Sequence, residues 1–319
     1  MNPIQGLHHI TAVASDPQVN VDFYERVLGQ RLVKTTVNFD DPSTYHLYYG
    51  DEIGTPGTVL TFFPWLHMGQ GKRGVGEAVA VGYRVPLNTL GFWAERLARL
   101  GVEIGAVEER FGEQVLALED PDGMKLELVA TAQTAGTRHW KDGPVAEAYA
   151  LHGFHGVTLC LNAAAQTESL LTEQLGYTQV AEDDNRRRFR AASDAAAFVD
   201  LIEEPEGNRG HFGAGSIHHI AFRTVDDDEQ LEYQGALRSA GQEVTAVRDR
   251  QYFHSIYFRE PGGVLFEIAT NAPGFTLDED VGELGTALKL PPWYEARRAQ
   301  IEKRLPPIVR PRDPSSSDP

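Results

Sequence analysis

Gly6-Leu7-His8-His9-Ile10-Thr11 decides how the rest of the chain is read, because its centre returns in Ile217-His218-His219-Ile220-Ala221 and its frame in Gly153-Phe154-His155-Gly156-Val157-Thr158. Each copy is short, apolar and bounded by glycine or serine, as a strand is. Ala78-Val79-Ala80-Val81 stands in the corresponding place of a fourth copy. A helical pattern follows each strand. Asp16-Pro17 supplies a cap and first-turn residue, Val21, Tyr24, Val27 and Leu28 recur at helical spacing, and Gly29 stops the run. Leu90, Trp93, Leu97 and Leu100 precede Gly101, and Leu170, Leu171 and Leu175 precede Gly176. The acidic first turn Asp226-Asp227-Asp228 opens a fourth helix that ends at Gly241.

The ends of the repeats rhyme too. Asp120-Pro121-Asp122-Gly123 leads into Met124-Lys125-Leu126-Glu127, Glu260-Pro261-Gly262-Gly263 into Val264-Leu265-Phe266-Glu267, and Thr55-Pro56-Gly57-Thr58 into Val59-Leu60-Thr61-Phe62. Each is a turn followed by a strand. The expected architecture is therefore α+β, four βαβββ modules taken in pairs, with an N-terminal domain over 1–135 and a C-terminal domain over 149–272. A linker of small and polar residues over 131–148 separates the halves. A C-terminal extension over 273–319 should hold a helix at 293–304 and a disordered tail at 311–319.

Composition limits the function. The chain has 319 residues and 41% hydrophobic residues, which suffices for more than one core, and mean hydropathy is -0.34. A formal charge of -17 argues against nucleic acid or an anionic membrane as partner. With Cys160 as the one cysteine no internal disulfide can form, so a reducing cytoplasm is the expected compartment. No apolar stretch is long enough to span a bilayer, and residues 1–6 do not look like a signal sequence.

Neighbouring side chains of a strand point to opposite faces, so one histidine of each pair enters the concave side. Ile10, Ile220 and Phe222 suit the helix-covered face, whereas Thr11 and Ala221 share a face with His9 and His219 and leave room. Likewise Phe266 and Ile268 point outward and Glu267 inward. Module three has Gly156 where His9 would be, and module two has no histidine there. The complete set is then His9 of module one with His219 and Glu267 of module four, so modules one and four must face each other, leaving two and three as the other pair. Glu127 holds the position of Glu267 in module two and reads as vestigial or solvated. Two imidazoles and one carboxylate form the facial set of non-haem Fe(II) oxygenases, open to both an organic ligand and O2, with Mn(II) as the other ion such ligands accept. Partners on the second ring nitrogens are expected nearby.

These residues resemble the vicinal-oxygen-chelate superfamily, with its glyoxalase and extradiol dioxygenase members, and within it the hydroquinone-cleaving branch. The likeness covers nearly the whole chain. It rests on Leu7-His8-His9-Ile10-Thr11, Tyr45-His46-Leu47-Tyr48, Gly54-Thr55-Pro56-Gly57-Thr58, Gly215 through Phe222, Arg250 through Tyr257, Pro261-Gly262-Gly263-Val264 before Phe266-Glu267, and Pro273-Gly274-Phe275-Thr276 before Asp278-Glu279-Asp280. The resemblance implies cupped mixed sheets and an Fe(II)-dependent dioxygenase that opens a dihydroxylated aromatic ring with O2, the metal ligands falling on His9, His219 and Glu267. It carries catalytic roles to Tyr257, His218 and Arg250 and substrate contacts to His8 and Thr11. Phe62, Phe63 and Trp65 would suit the wall around a flat ring. A small aromatic diol and O2 are the implied partners, and a homo-oligomer is allowed.

Two other readings stay open. A glyoxalase I-like isomerase or lyase of the same fold would use a fourth protein ligand, usually a glutamate from the paired module. The module-one counterpart of Glu267 reads as Phe62, so that ligand is missing unless module one pairs with two and Glu127 serves. A non-enzymatic quinone- or drug-binding protein of the superfamily would lack a full ligand triad.

Overall fold

The computed structural model describes residues 1–133 and 136–310, so the expected tail at 311–319 and part of the expected linker lie outside the described residues. Module one forms β1 (Leu7–Ala14), β2 (Arg31–Val37), β3 (Tyr45–Gly50) and β4 (Val59–Pro64); module two forms β5 (Glu77–Pro86), β6 (Ile104–Arg110), β7 (Glu113–Glu119) and β8 (Lys125–Thr131). Module three supplies β9 (Phe154–Leu161), β10 (Thr178–Asp183), β11 (Arg186–Arg190) and β12 (Phe198–Glu203), and module four β13 (Ile217–Thr224), β14 (Arg248–Asp249), β15 (Phe253–Arg259) and β16 (Leu265–Pro273).

These strands make two eight-stranded mixed sheets, ordered β14-β15-β16-β13-β1-β4-β3-β2 and β10-β11-β12-β9-β5-β8-β7-β6. The first joins modules one and four through the antiparallel pair β1 and β13, and the second joins two and three through β5 and β9. Each sheet thus draws one module from each half of the chain. Within a module the strand before the helix and the last strand are parallel, as the intervening crossover requires.

Helices α1 (Pro17–Val21), α2 (Leu90–Arg99), α3 (Ala165–Ser169) and α4 (Asp227–Ser239) follow the first strand of each module. Asp16 and Asp226 cap α1 and α4 through their side chains, and the four stop glycines, Gly29, Gly101, Gly176 and Gly241, take φ of 70, 75, 74 and 88°. Helices α1 and α3 differ from the simple expectation: each widens into a π turn, over Asp22–Val27 and Leu170–Gln174, closed by Leu28 N–H on Phe23 O and Leu175 N–H on Leu170 O. In module one Tyr24 of this turn packs against Tyr49 and Phe62 while its hydroxyl donates to Asp120 of module two. The expected helix at 293–304 is broken into α5 (Pro292–Glu295) and α6 (Arg298–Glu302). The bend lets Tyr294 donate to Phe39 O on one side while Ile301 enters the core on the other.

Ile10, Ile220, Phe222, Phe266 and Ile268 belong to the main apolar core, and no helix of the described residues is long and apolar enough to cross a membrane. Residues after Pro273 return to the first sheet: Lys34, fully buried, is met by Asp278 and Glu279, and Phe275 packs on Tyr48 and Tyr252.

Candidate metal centre

The register across the first sheet places the site. His9 lies opposite Ala221, Ala221 beside Glu267, and Thr11 opposite His219, so the concave face collects both histidines and the carboxylate. Glu267 Oε2 lies 3.0 Å from His219 Nε2 and 3.4 Å from His9 Nε2, and the two nitrogens are 3.4 Å apart. All three residues are buried, and among the described residues no other group of three or more such side chains converges in this way. Glu267 Oε1 accepts from Ser255 Oγ, whereas Oε2 is buried with no hydrogen bond of its own. An orphaned carboxylate oxygen facing two imidazole nitrogens fits a cation between them.

Each inward histidine is held by the histidine before it. His8 Nδ1 lies 2.9 Å from His9 Nδ1, and His218 Nδ1 lies 2.8 Å from His219 Nδ1. Neutral imidazole carries one N–H, so an Nε2 lone pair free for a metal requires Nδ1–H on His9 and His219, donated to His8 and His218. Burial, with the neighbouring imidazole second, pushes His8 and His218 down to about 3, so both are neutral acceptors. Burial pushes His219 down as well, against the pull of Glu267. Burial alone would push the Glu267 carboxyl up, but the facing imidazoles outweigh it and hold it well below the usual carboxylate range.

Above the triad opens a cavity of about 570 Å³, lined by His9, His219, His46, Tyr48, Tyr257 and His218 near its floor and by Phe39, Phe63, Trp65, Phe253 and Leu265 on its walls. Arg250 and Tyr257 lie together in it: Arg250 Nε donates to the Tyr257 oxygen at 3.0 Å, which leaves the phenolic O–H to point elsewhere. Burial and the Glu267 charge raise Tyr257 above the usual phenol range, so it keeps that proton. His8 packs against Phe253 behind the wall, and Thr11 sits below the floor bonded to Thr61 Oγ1 at 2.8 Å. Phe63 and Trp65 line the cavity; Phe62 does not, being packed in the opposite core against Tyr24.

Phe62 is also displaced from the part it was assigned by turn alignment. Thr11 pairs with Thr61 in β4 as Ala221 pairs with Glu267 in β16, so the module-one counterpart of Glu267 is Thr61. Thr61 bonds Thr11 and His46, and Tyr48 holds the other nitrogen of His46 at 2.7 Å. His46 was missed as a cavity residue, although alternation along Tyr45-His46-Leu47-Tyr48 puts His46 and Tyr48 on one face. Asp40 and Asp41, also in the lining, had no motif to announce them.

The second sheet fills the corresponding cup with ion pairs. Gly156 stands where His9 does, and Glu127, expected to be vestigial or solvated, is buried and held by Arg110 at 2.8 and 3.1 Å, with Lys125 at 3.3 Å. Asp200 and Arg188 form a second double contact beside it, at 2.8 and 3.0 Å. Guanidinium groups neutralise this cup, and a cavity of about 10 Å³ remains.

The family model for the Glyoxalase/Bleomycin resistance protein/Dioxygenase superfamily matches residues 6–128 and 153–268. The chain is 47% identical to the proposed ring-cleaving dioxygenase MhqO of Bacillus subtilis (strain 168), over 95% of this chain and 96% of that protein. It is 36% identical to the chlorohydroquinone/hydroquinone 1,2-dioxygenase of Sphingobium indicum, over 96% of this chain and 98% of that one. A crystal structure of a proposed dioxygenase from Bacillus subtilis superposes with a TM-score of 0.91 at 45% identity, covering 98% of this chain and 99% of the other. The paired cups, the repeated histidine strand and these matches agree, and the chain belongs to the Glyoxalase/Bleomycin resistance protein/Dioxygenase superfamily.

Proposed function

We propose that this protein is a metal-dependent dioxygenase that opens the ring of a hydroquinone-like or catechol-like dihydroxylated aromatic with O2, using Fe(II) held by His9, His219 and Glu267. The observation that carries the reading is the convergence of three buried ligand atoms, one of them an orphaned carboxylate oxygen, at the floor of an aromatic-walled cavity. The relatives named as ring-cleaving and hydroquinone dioxygenases support the choice of substrate. When bound, the metal would act as Lewis acid and hold an ionised substrate oxygen and O2 side by side.

The side chains divide the remaining work. Phe63, Trp65 and Phe39 offer faces and edges to a flat ring. Tyr257, its oxygen already engaged by Arg250, presents its proton as a donor to a substrate oxygen, and Arg250 places positive charge where negative charge develops. His218, neutral and with its Nδ1 engaged by His219, carries its proton on Nε2 and offers it beside the floor as a second hydrogen-bond donor to a substrate oxygen. His8 and Thr11 act from behind the wall, by orienting His9 and by anchoring Thr61. Thr61 in the module-one position that corresponds to Glu267 leaves no fourth carboxylate, which favours a dioxygenase over a glyoxalase I-like isomerase.

The test is oxygen uptake by Fe(II)-loaded protein with panels of hydroquinones and catechols, beside the His219→Ala variant. Uptake with a ring-opened acid as product, lost in the variant, is expected; no uptake from protein shown to hold metal would overturn the reading.

A further inference from the structure

Four charged side chains line the cavity, and they cancel: Asp40 and Asp41 against Arg248 and Arg250. Asp40 is the hub. Its Oδ2 accepts from Arg250 at 3.0 Å, and its Oδ1 lies 3.7 Å from Arg248. Arg250 spends its Nε on Tyr257, and Asp41 accepts from Ser43 and Trp65, so no guanidinium in the cavity is left without a carboxylate partner. The remaining walls are largely aromatic. A ring bearing a carboxylate would enter a half-enclosed space that offers it no unpaired cation, and Asp40 and Asp41 would repel it.

Asp40 does not hold this post by itself. It lies on the loop between β2 and β3 of module one, while Arg248 and Arg250 belong to module four, so the ion pairs bridge the mouth of the cleft. The C-terminal extension fixes the loop from outside: Tyr294 Oη donates to Phe39 O at 2.8 Å, and Trp293 meets the Phe39 ring edge to face at 5.6 Å. Asp40 itself has a side chain 60% exposed, so its pull on Arg250 acts through solvent-screened contact and can be altered without opening a hole in the core.

We propose that Asp40 is the specificity-determining residue of this site: by occupying Arg250 and Arg248 it restricts the cavity to uncharged dihydroxylated rings and excludes those that carry a carboxylate. This rests on the ring-cleaving reading above and refines its substrate class. Removing the Asp40 charge leaves Arg250 free to receive an acidic substituent, so the excluded class gains affinity while the accepted class scarcely changes. Glu at this position restores the exclusion.

The experiment compares 2,5-dihydroxyphenylacetate with its methyl ester, which differ in charge and little in shape. Anaerobic calorimetry on the Fe(II)-loaded full-length protein reads binding without turnover, for wild type, Asp40→Asn and Asp40→Glu, at low and high salt. The acid should bind wild type at least about tenfold more weakly than the ester, tighten about fivefold in Asp40→Asn, and return in Asp40→Glu, with added salt shrinking the difference. Equal affinity of acid and ester for wild type, or an equal change of both in Asp40→Asn, would overturn the proposal while leaving the dioxygenase intact. Discrimination by charge without oxygen uptake on the ester would sustain Asp40 and sink the dioxygenase. No binding of either ring would sink both.

Discussion

His218 Nδ1 stands 2.8 Å from His219 Nδ1, and His8 repeats the contact with His9 at 2.9 Å. In the proposed reading the doublet is a ligand and its orienting acceptor on consecutive residues, copied with the module. Replacing His218 or His8 by Phe removes the acceptor while leaving the ligand in place, and metal affinity should fall by about 10–100-fold. Chelator competition measures it. Unchanged affinity in both variants would mean the contact between rings does no orienting.

Asp120 is buried beneath the π turn of module one, with Tyr24 Oη donating to it at 3.0 Å. Burial pushes its carboxyl up to about 7, although its hydrogen bonds oppose the shift. A folded pKa above the unfolded value means the folded state binds the proton more tightly. Its stability contribution is complete below the ordinary value of 3.8 and is lost as pH rises to about 7. Asp120→Asn abolishes the ionisation. The variant should gain on wild type by about 1.4 kcal/mol per pH unit between pH 4 and 7 in urea unfolding; parallel curves would show that Asp120 is not buried as a neutral acid.

In the second cup, Arg110→Met strands the buried Glu127 with Lys125 as its remaining partner. The expected cost is about 3 kcal/mol of stability, at the low end for breaking a buried pair. Metal content per chain should not change, because Gly156 leaves this cup without the histidine that the first cup has at His9. A variant as stable as wild type would place Glu127 in contact with solvent.

Lys34 is fully enclosed between Asp278 Oδ1 at 2.6 Å and Glu279, whose other oxygen is buried without a partner. Lys34→Met should cost about 3–5 kcal/mol by leaving Glu279 uncompensated, and adding Glu279→Leu should recover much of that loss. Strictly additive losses in a denaturation cycle would show that the charges do not depend on each other.

The repeat was readable because its signals are local: a histidine strand, a capped helix, a stop glycine and a turn before each last strand. The convergence of His9, His219 and Glu267 was readable because strand alternation and the missing histidine at Gly156 leave one consistent pairing of modules, the pairing that β1 and β13 make. What escaped is set by partners distant in sequence. Thr61 rather than Phe62 matches Glu267 because the turn before β4 carries one residue fewer in register than the turn before β16, which only the pairing with Thr11 reveals. Asp40 meets Arg250 across a separation of 210 residues, and Lys34 meets Glu279 across 245. The π turns leave no compositional trace, since the same residues would build an ordinary helix.

Because the first sheet joins the first module to the last, β1 must wait for its antiparallel neighbour β13 to exist. On a ribosome His9 emerges 210 residues ahead of His219, a delay of about 10–40 s at usual elongation rates. Module three is complete at Glu203, before β13 begins at Ile217, so modules two and three can pair before His219 is made. The half of the molecule without the histidine pair is thus complete in sequence before the half that carries it, and the first strand is the last to find all its neighbours.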